Sequence, residues 1–146
     1  ATAFESDSSG KAAIGHGYTY SGHPVGAAAA LAAIAETRRL DVVTNAAARG
    51  TQLYDGMVSL AGQYPVVGDV RGGHGLMTAM ELVADQETKA PIDGKLAIKM
   101  QKAAYQAGAL IRVSGPNVIL SPSLVIEEAD IDIALNAVEE GLKAIS

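Results

Sequence analysis

Residues 24–35, PVGAAAALAAIA, carry no charge, and this run limits what the chain can become more than any other feature. Pro24 suits the first position of a helix, where its missing N–H costs nothing. The run continues as ETRRL to Leu40, so a helix is predicted from Pro24 to Leu40. A helix that is apolar on every face has to be covered on every side. Its alanines would let neighbouring backbones come close.

The rest of the chain sets the class. Its 146 residues suit one domain. Hydrophobic residues make up 49% but aromatics only 4%, with no Trp, so the core must be aliphatic and rich in Ala. A net charge of −5 without any basic stripe argues against nucleic acid. Zero cysteines exclude disulfides and thiolate metal sites and fit a reducing, cytoplasmic compartment. The start, ATAFESDSSGK, lacks the basic and apolar regions of a signal peptide. No apolar run approaches the roughly 20 residues of a membrane span. His16, His23 and His74 show no ligand spacing and read as turn or packing residues, so no metal site is expected.

Along the chain, SDSSG at 6–10 reads as a flexible turn. A second helix is predicted over Asn45–Tyr64, with Leu53, Met57 and Leu60 on one face and Pro65 as its stop. Gly50 and Gly56 weaken it by roughly 1 kcal/mol each. Residues 65–83 read as a strand, a Gly-rich turn at 72–75 and a second strand. A third helix should place Leu96, Met100, Ala103 and Ala107 inward and stop at Gly108. Lys95, Lys99 and Lys102 would form its wet face. ALIRV (109–113), the turn SGPN and VILS (118–121) form a hairpin. In the last helix Ile131, Leu135, Val138, Leu142 and Ile145 recur at helical spacing. The order predicts an α+β domain of antiparallel strands with helices packed on one face.

Two stretches invite chemistry. HGYTYSGHP (16–24) is rich in Gly and hydroxyls and runs into a helix start, where free N–H groups and the macrodipole favour an anion. Read from composition alone, a plain cap by Ser21 or His23 is the simpler account. Arg112, beside the SGPN turn, presents the planar fork that suits a carboxylate, although an exposed hairpin charge would look the same. Arg71, between a strand and glycines, reads as a structural ion pair.

HGYTYSGHPVGAAAALA closely resembles a segment of the class III (omega) aminotransferases, pyridoxal-phosphate enzymes of fold type I. VRGGHGLMTAMELV (70–83) resembles the family's Val-Arg-Gly-x-Gly-Leu stretch, and LIRVSGPNVILSPSLVI (110–126) its closing hairpin. The resemblance implies that residues 24–146 form the C-terminal small domain with a long apolar interdomain helix. Residues 1–23 would be a preceding segment with a phosphate-contacting loop. It implies that Thr19 binds the cofactor phosphate from the neighbouring subunit of a homodimer with shared active sites. Tyr18 would line the substrate pocket, and Arg112 would bind the substrate carboxylate. Two departures are local: Glu127 stands where the family usually has a Thr cap, implying a weaker helix start, and Ser123 stands where a second proline is common.

A transaminase also needs a Schiff-base lysine, an acid for the pyridinium nitrogen and a large α/β domain. In the family these lie upstream of the threonine motif, and Lys11 is not in the matching context. The implied function is thus the C-terminal part of an enzyme moving an amino group from an amine or ω-amino acid to a keto acid such as pyruvate. The 146-residue chain alone would be inactive. The alternative is a non-catalytic dimerisation or interaction module. Either way the uncharged helix needs a cover, and alone it leaves an apolar patch. The isolated chain is therefore expected to self-associate or precipitate; a clean monomer by light scattering at high concentration would contradict this.

Overall fold

The computed structural model describes Ser6, Ser9 and residues 17–146, so His16 and Lys11 lie outside the described residues. The chain divides into two compact units, Ala1–Glu36 and Thr37–Ser146. Helix α1 spans Pro24–Arg39, and none of its residues is buried. Val25 and Leu31 are about 70% exposed.

The second unit continues with α2 (Val42–Ala61), β1 (Val67–Arg71), β2 (Thr78–Leu82), α3 (Gly94–Gln106), β3 (Arg112–Ser114), β4 (Asn117–Leu120) and α4 (Glu128–Lys143). The strands form one antiparallel sheet in the order β1-β2-β4-β3, so the α+β architecture is the one predicted. Alternation fixes its inner face. Thr78, Met80 and Leu82 of β2 are buried, as are Val118 and Leu120 of β4. Met80, Leu82, Val118 and Leu120 meet Leu53 and Met57 of α2, Met100 and Ala104 of α3, and Ile131, Val138 and Leu142 of α4 in one core.

Helix α2 starts three residues ahead of the predicted Asn45 and stops at Ala61. Asn45 does not cap it. Its side-chain amide donates instead to the carbonyls of Leu124 and Ile126, at 2.8 and 3.1 Å. The C-terminal shift arises because Gln63 and Tyr64 fold back onto Leu60 O in a turn. The inner face of α3 is the predicted one in Met100, which is buried, and in Leu96 and Ala107, which are half-buried against the core; it is completed by buried Ala97 and Ala104, while Ala103 is half-buried. Small residues face α4 because that helix comes close. A Cβ on Gly141 would stand 2.8 Å from Met100 Cγ and 3.0 Å from Met100 O. In α4, Ile131, Val138 and Leu142 are buried as predicted, joined by Ala137. Leu135 is half-buried, and Ile145 falls beyond the helix end. Gly108 follows α3 at φ 109°, a left-handed stop that glycine adopts without strain. At the start of α4 the Glu127 N–H donates to Asp130 Oδ2 at 3.4 Å.

The two glycines that weaken α2 are packing residues. A Cβ on Gly50 would collide with the backbone of Gly75, and one on Gly56 with the side chain of Leu135. Helix propensity is given up for a close approach. Gly50→Ala is therefore expected to lower stability by about 2 kcal/mol, whereas the same change in an unobstructed helix would raise it by about 1 kcal/mol. Urea midpoints decide, and a higher midpoint for the variant would contradict the close approach. Asn45→Ala leaves two carbonyls without their donor and should cost about 1–2 kcal/mol by the same measurement.

Candidate functional site

The β3–β4 hairpin turns at Gly115, whose φ is 58°, and pairs Arg112 with Ile119 and Val113 with Val118. Where this hairpin meets the first half of α4, a cleft of about 760 Å³ opens. Its walls include Leu110, Ile119, Pro122, Ile126 and Ile133, and its charged lining residues are Arg112 and Asp130. Arg112 is exposed and forms no side-chain hydrogen bond or ion pair among the described residues. A guanidinium left free on an apolar wall can receive a carboxylate with both arms of its fork.

Arg71 behaves differently. Its Nη1 lies 2.9 Å from Asp69 Oδ2 and 2.7 Å from Glu81 Oε2, and its Nη2 donates to Asn117 Oδ1. The hydrogen bonds to Glu81 and Asp69 hold its proton more tightly than usual. The structural ion pair read from the sequence is what the fold contains. The register explains it, since Asp69 pairs with Glu81 and Glu81 with Asn117.

One wall of the cleft is held in place from α2. Besides Asn45, Arg49 Nη1 donates to Gln52 Oε1 at 2.7 Å and to Glu128 Oε2 at 2.8 Å. Gln52 Nε2 donates to Glu128 O at 3.2 Å and Asp132 Oδ1 at 2.8 Å. Together the three side chains tie both the segment after β4, with Ile126, and the start of α4 to α2. Sequence reasoning missed them. Their spacing at i, i+4 and i+7 marks one polar stripe on a helix, but partners 76–81 residues away leave no local trace.

In the first unit Tyr18 and Thr19 sit at a turn ahead of α1. Ser21 N–H donates to Tyr18 O at 2.9 Å, and Tyr18 N–H donates to Ser21 Oγ at 3.3 Å. His23 caps the helix, its Nδ1 accepting from Gly26 N–H at 3.3 Å. The cap considered for this stretch is therefore made by His23, and Ser21 Oγ serves the turn. The Thr19 hydroxyl has no partner among the described residues and is exposed, as is Tyr18. Thr19 and Tyr18 thus belong to one compact unit and Arg112 to the other. His74 is exposed. No group of potential metal ligands occurs among the described residues, and no helix among them is long and apolar enough to cross a membrane.

Comparison with known proteins places this geometry in a family. The family model for aminotransferase class-III matches residues 2–142. A taurine–pyruvate aminotransferase of Bilophila wadsworthia is 36% identical over 134 residues, covering 87% of this chain and 29% of that protein. A leucine/methionine racemase of Thermococcus litoralis is 34% identical over 130 residues, covering 88% of this chain and 29% of the racemase. The crystal structure of a PLP-bound amine transaminase from an uncultivated Pseudomonas species superposes with a TM-score of 0.83 at 39% identity, over 91% of this chain and 30% of that one. The chain thus spans about 30% of the length of these relatives. With nearly its whole length matched, the chain belongs to the class-III aminotransferases.

Proposed function

We propose that this chain is the C-terminal part of a pyridoxal-phosphate-dependent transaminase. The complete enzyme moves an amino group from an amine or ω-amino acid to a keto acid such as pyruvate. The observation that carries the reading is the unpaired Arg112 on an otherwise largely apolar cleft, in a chain of this family. An acceptor with a carboxylate gives that guanidinium a partner; an acid-free pair of substrates leaves it idle.

The residues present fit one end of the cofactor. The Thr19 hydroxyl is exposed, without a partner among the described residues, on a turn that leads into a helix N-terminus, where hydroxyl and N–H donors suit a phosphate. Thr19 would hold the phosphate of pyridoxal phosphate in the partner subunit of a homodimer, and Tyr18 would line the substrate pocket beside it. Pyridoxal phosphate, when bound, supplies the electron sink for amine transfer. Arg112 then orients the substrate by its carboxylate, away from the reacting nitrogen. The resemblance assigns the Schiff-base lysine to none of these 146 residues, so the chain alone would be inactive. Because one relative is a racemase, chemistry that rearranges an amino acid without an acceptor is the second reading, and it would use the same carboxylate grip. The alternative of a non-catalytic module draws on α1, which the chain leaves unburied.

In a dimeric enzyme containing this chain, Arg112→Ala is expected to raise KM for pyruvate at least about tenfold, as loss of a charge-assisted hydrogen bond would. Turnover with an aldehyde acceptor that lacks a carboxylate should stay within about twofold, since that substrate never used the bond. Equal losses with both acceptors would contradict the assignment. The 146-residue chain by itself should not turn over an amine with pyruvate, and turnover that disappears on changing Lys11 would overturn that expectation.

A further inference from the structure

A side chain of α3 grips the backbone just ahead of the β3–β4 hairpin. Gln101 Nε2 donates to the Ile111 carbonyl at 2.8 Å, ten residues further along the chain. That carbonyl belongs to the peptide that leads into Arg112. A peptide unit is planar, so a hold on the Ile111 oxygen orients the plane that carries the Arg112 Cα. Ile111 is itself buried, which fixes the other end of that plane. Arg112 has few other ties. It opens β3, a strand of three residues with β4 on one side and no strand on the other. Its guanidinium has no side-chain partner among the described residues. Behind it, Gly108 and Leu110 are exposed. Backbone bonds from Gly108 and Ala109 end at Tyr105 and Ala104, and the Gln101 bond is the next tie before Arg112 pairs with Ile119.

We propose that Gln101 is a positioning residue for Arg112, its carboxamide setting the point from which the guanidinium reaches a ligand carboxylate. The inference rests on the proposed role of Arg112 as the carboxylate-binding group. Gln101 can do this because of its place on α3. Ala97 and Ala104, four residues before it and three after, are buried, and residues at that spacing share a helix face. The Gln101 side chain therefore stands at the border of the core, half-buried, on a helix that packs against α4. It lies outside the cleft lining, so it acts on a ligand through Arg112. A guanidinium grips a carboxylate with two parallel donors, and a shift of about 1 Å at its base spoils that geometry. An acceptor without a carboxylate never uses the grip, so Gln101 does not affect it.

Gln101→Met tests this, because it removes the donor while keeping nearly the same length and helix propensity. In a dimeric enzyme containing this chain, it should raise KM for pyruvate about three- to tenfold, the range of a single hydrogen bond. Turnover of an aldehyde acceptor that lacks a carboxylate should stay within about twofold. In an Arg112→Ala background the same change should add nothing, since the group being positioned is gone. Hydrogen exchange in the same enzyme reads the brace itself: amides of residues 108–112 should exchange about three- to tenfold faster in Gln101→Met. Unchanged exchange, equal losses with both acceptors, or a loss that multiplies with that of Arg112→Ala would overturn the inference. A selective loss for pyruvate in Arg112→Ala beside none in Gln101→Met would overturn Gln101's part alone and leave Arg112's. Arg112→Ala without a selective loss for pyruvate would overturn the carboxylate role of Arg112, and the positioning with it.

Discussion

Helix α2 lies against the peptide of Gly75 because Gly50 has no side chain, and this contact sets the depth at which the helix rests on the unit. From that seat Leu53 and Met57 enter the core with no exposure. The polar stripe of Asn45, Arg49 and Gln52 reaches the segment after β4 and the start of α4. One wall of the Arg112 cleft is therefore hung from α2. A Cβ at Gly50 would push against backbone, which cannot move aside as a flexible side chain can. The cost of glycine in a helix is accepted for geometry that reaches as far as the cleft.

The two arginines of the sheet show how one scaffold ties one guanidinium down and leaves another without a partner among the described residues. Arg71 pairs with Ala79, Ala79 with Ile119, and Ile119 with Arg112. The two arginines thus end a single row across all four strands, on opposite edges. At the β1 edge the neighbouring row supplies Asp69, Glu81 and Asn117, which absorb the guanidinium of Arg71. Beside Arg112, on the same strand, that row offers Ser114, which has no charge. The difference in fate comes from the row alongside and not from the arginine itself.

The elements that sequence made legible are those with local causes. The last helix announced itself by Ile131, Val138 and Leu142, the end of α3 by Gly108, and the sheet by its alternation and turn glycines. The ion pair of Arg71 was readable because a strand arginine beside a glycine turn has few other uses. What escaped was set by partners far away in the chain. Asn45 looked like a helix start until Leu124 and Ile126 took its amide. The inner face of α3 extends to Ala97 and Ala104, small residues on a helix that α4 approaches at Gly141, where a larger residue would meet Met100. Nothing local to Asp130 marks it as a lining residue of the cleft, and only the fold sets it there.

Helix α1 presents Val25, Leu31 and Ile34 with none of its residues buried, which asks for a cover as strongly as the bare run of alanines did. The account supplies it from the rest of a dimeric transaminase. The most direct measurement is the intact mass of the protein purified from the organism that makes it, after incubation with pyridoxal phosphate and borohydride. The account predicts a chain much heavier than 14.9 kDa that contains these 146 residues and carries one reduced-cofactor adduct on a lysine outside them. A single species near 14.9 kDa without a specific adduct would contradict it and leave a module with no catalysis of its own.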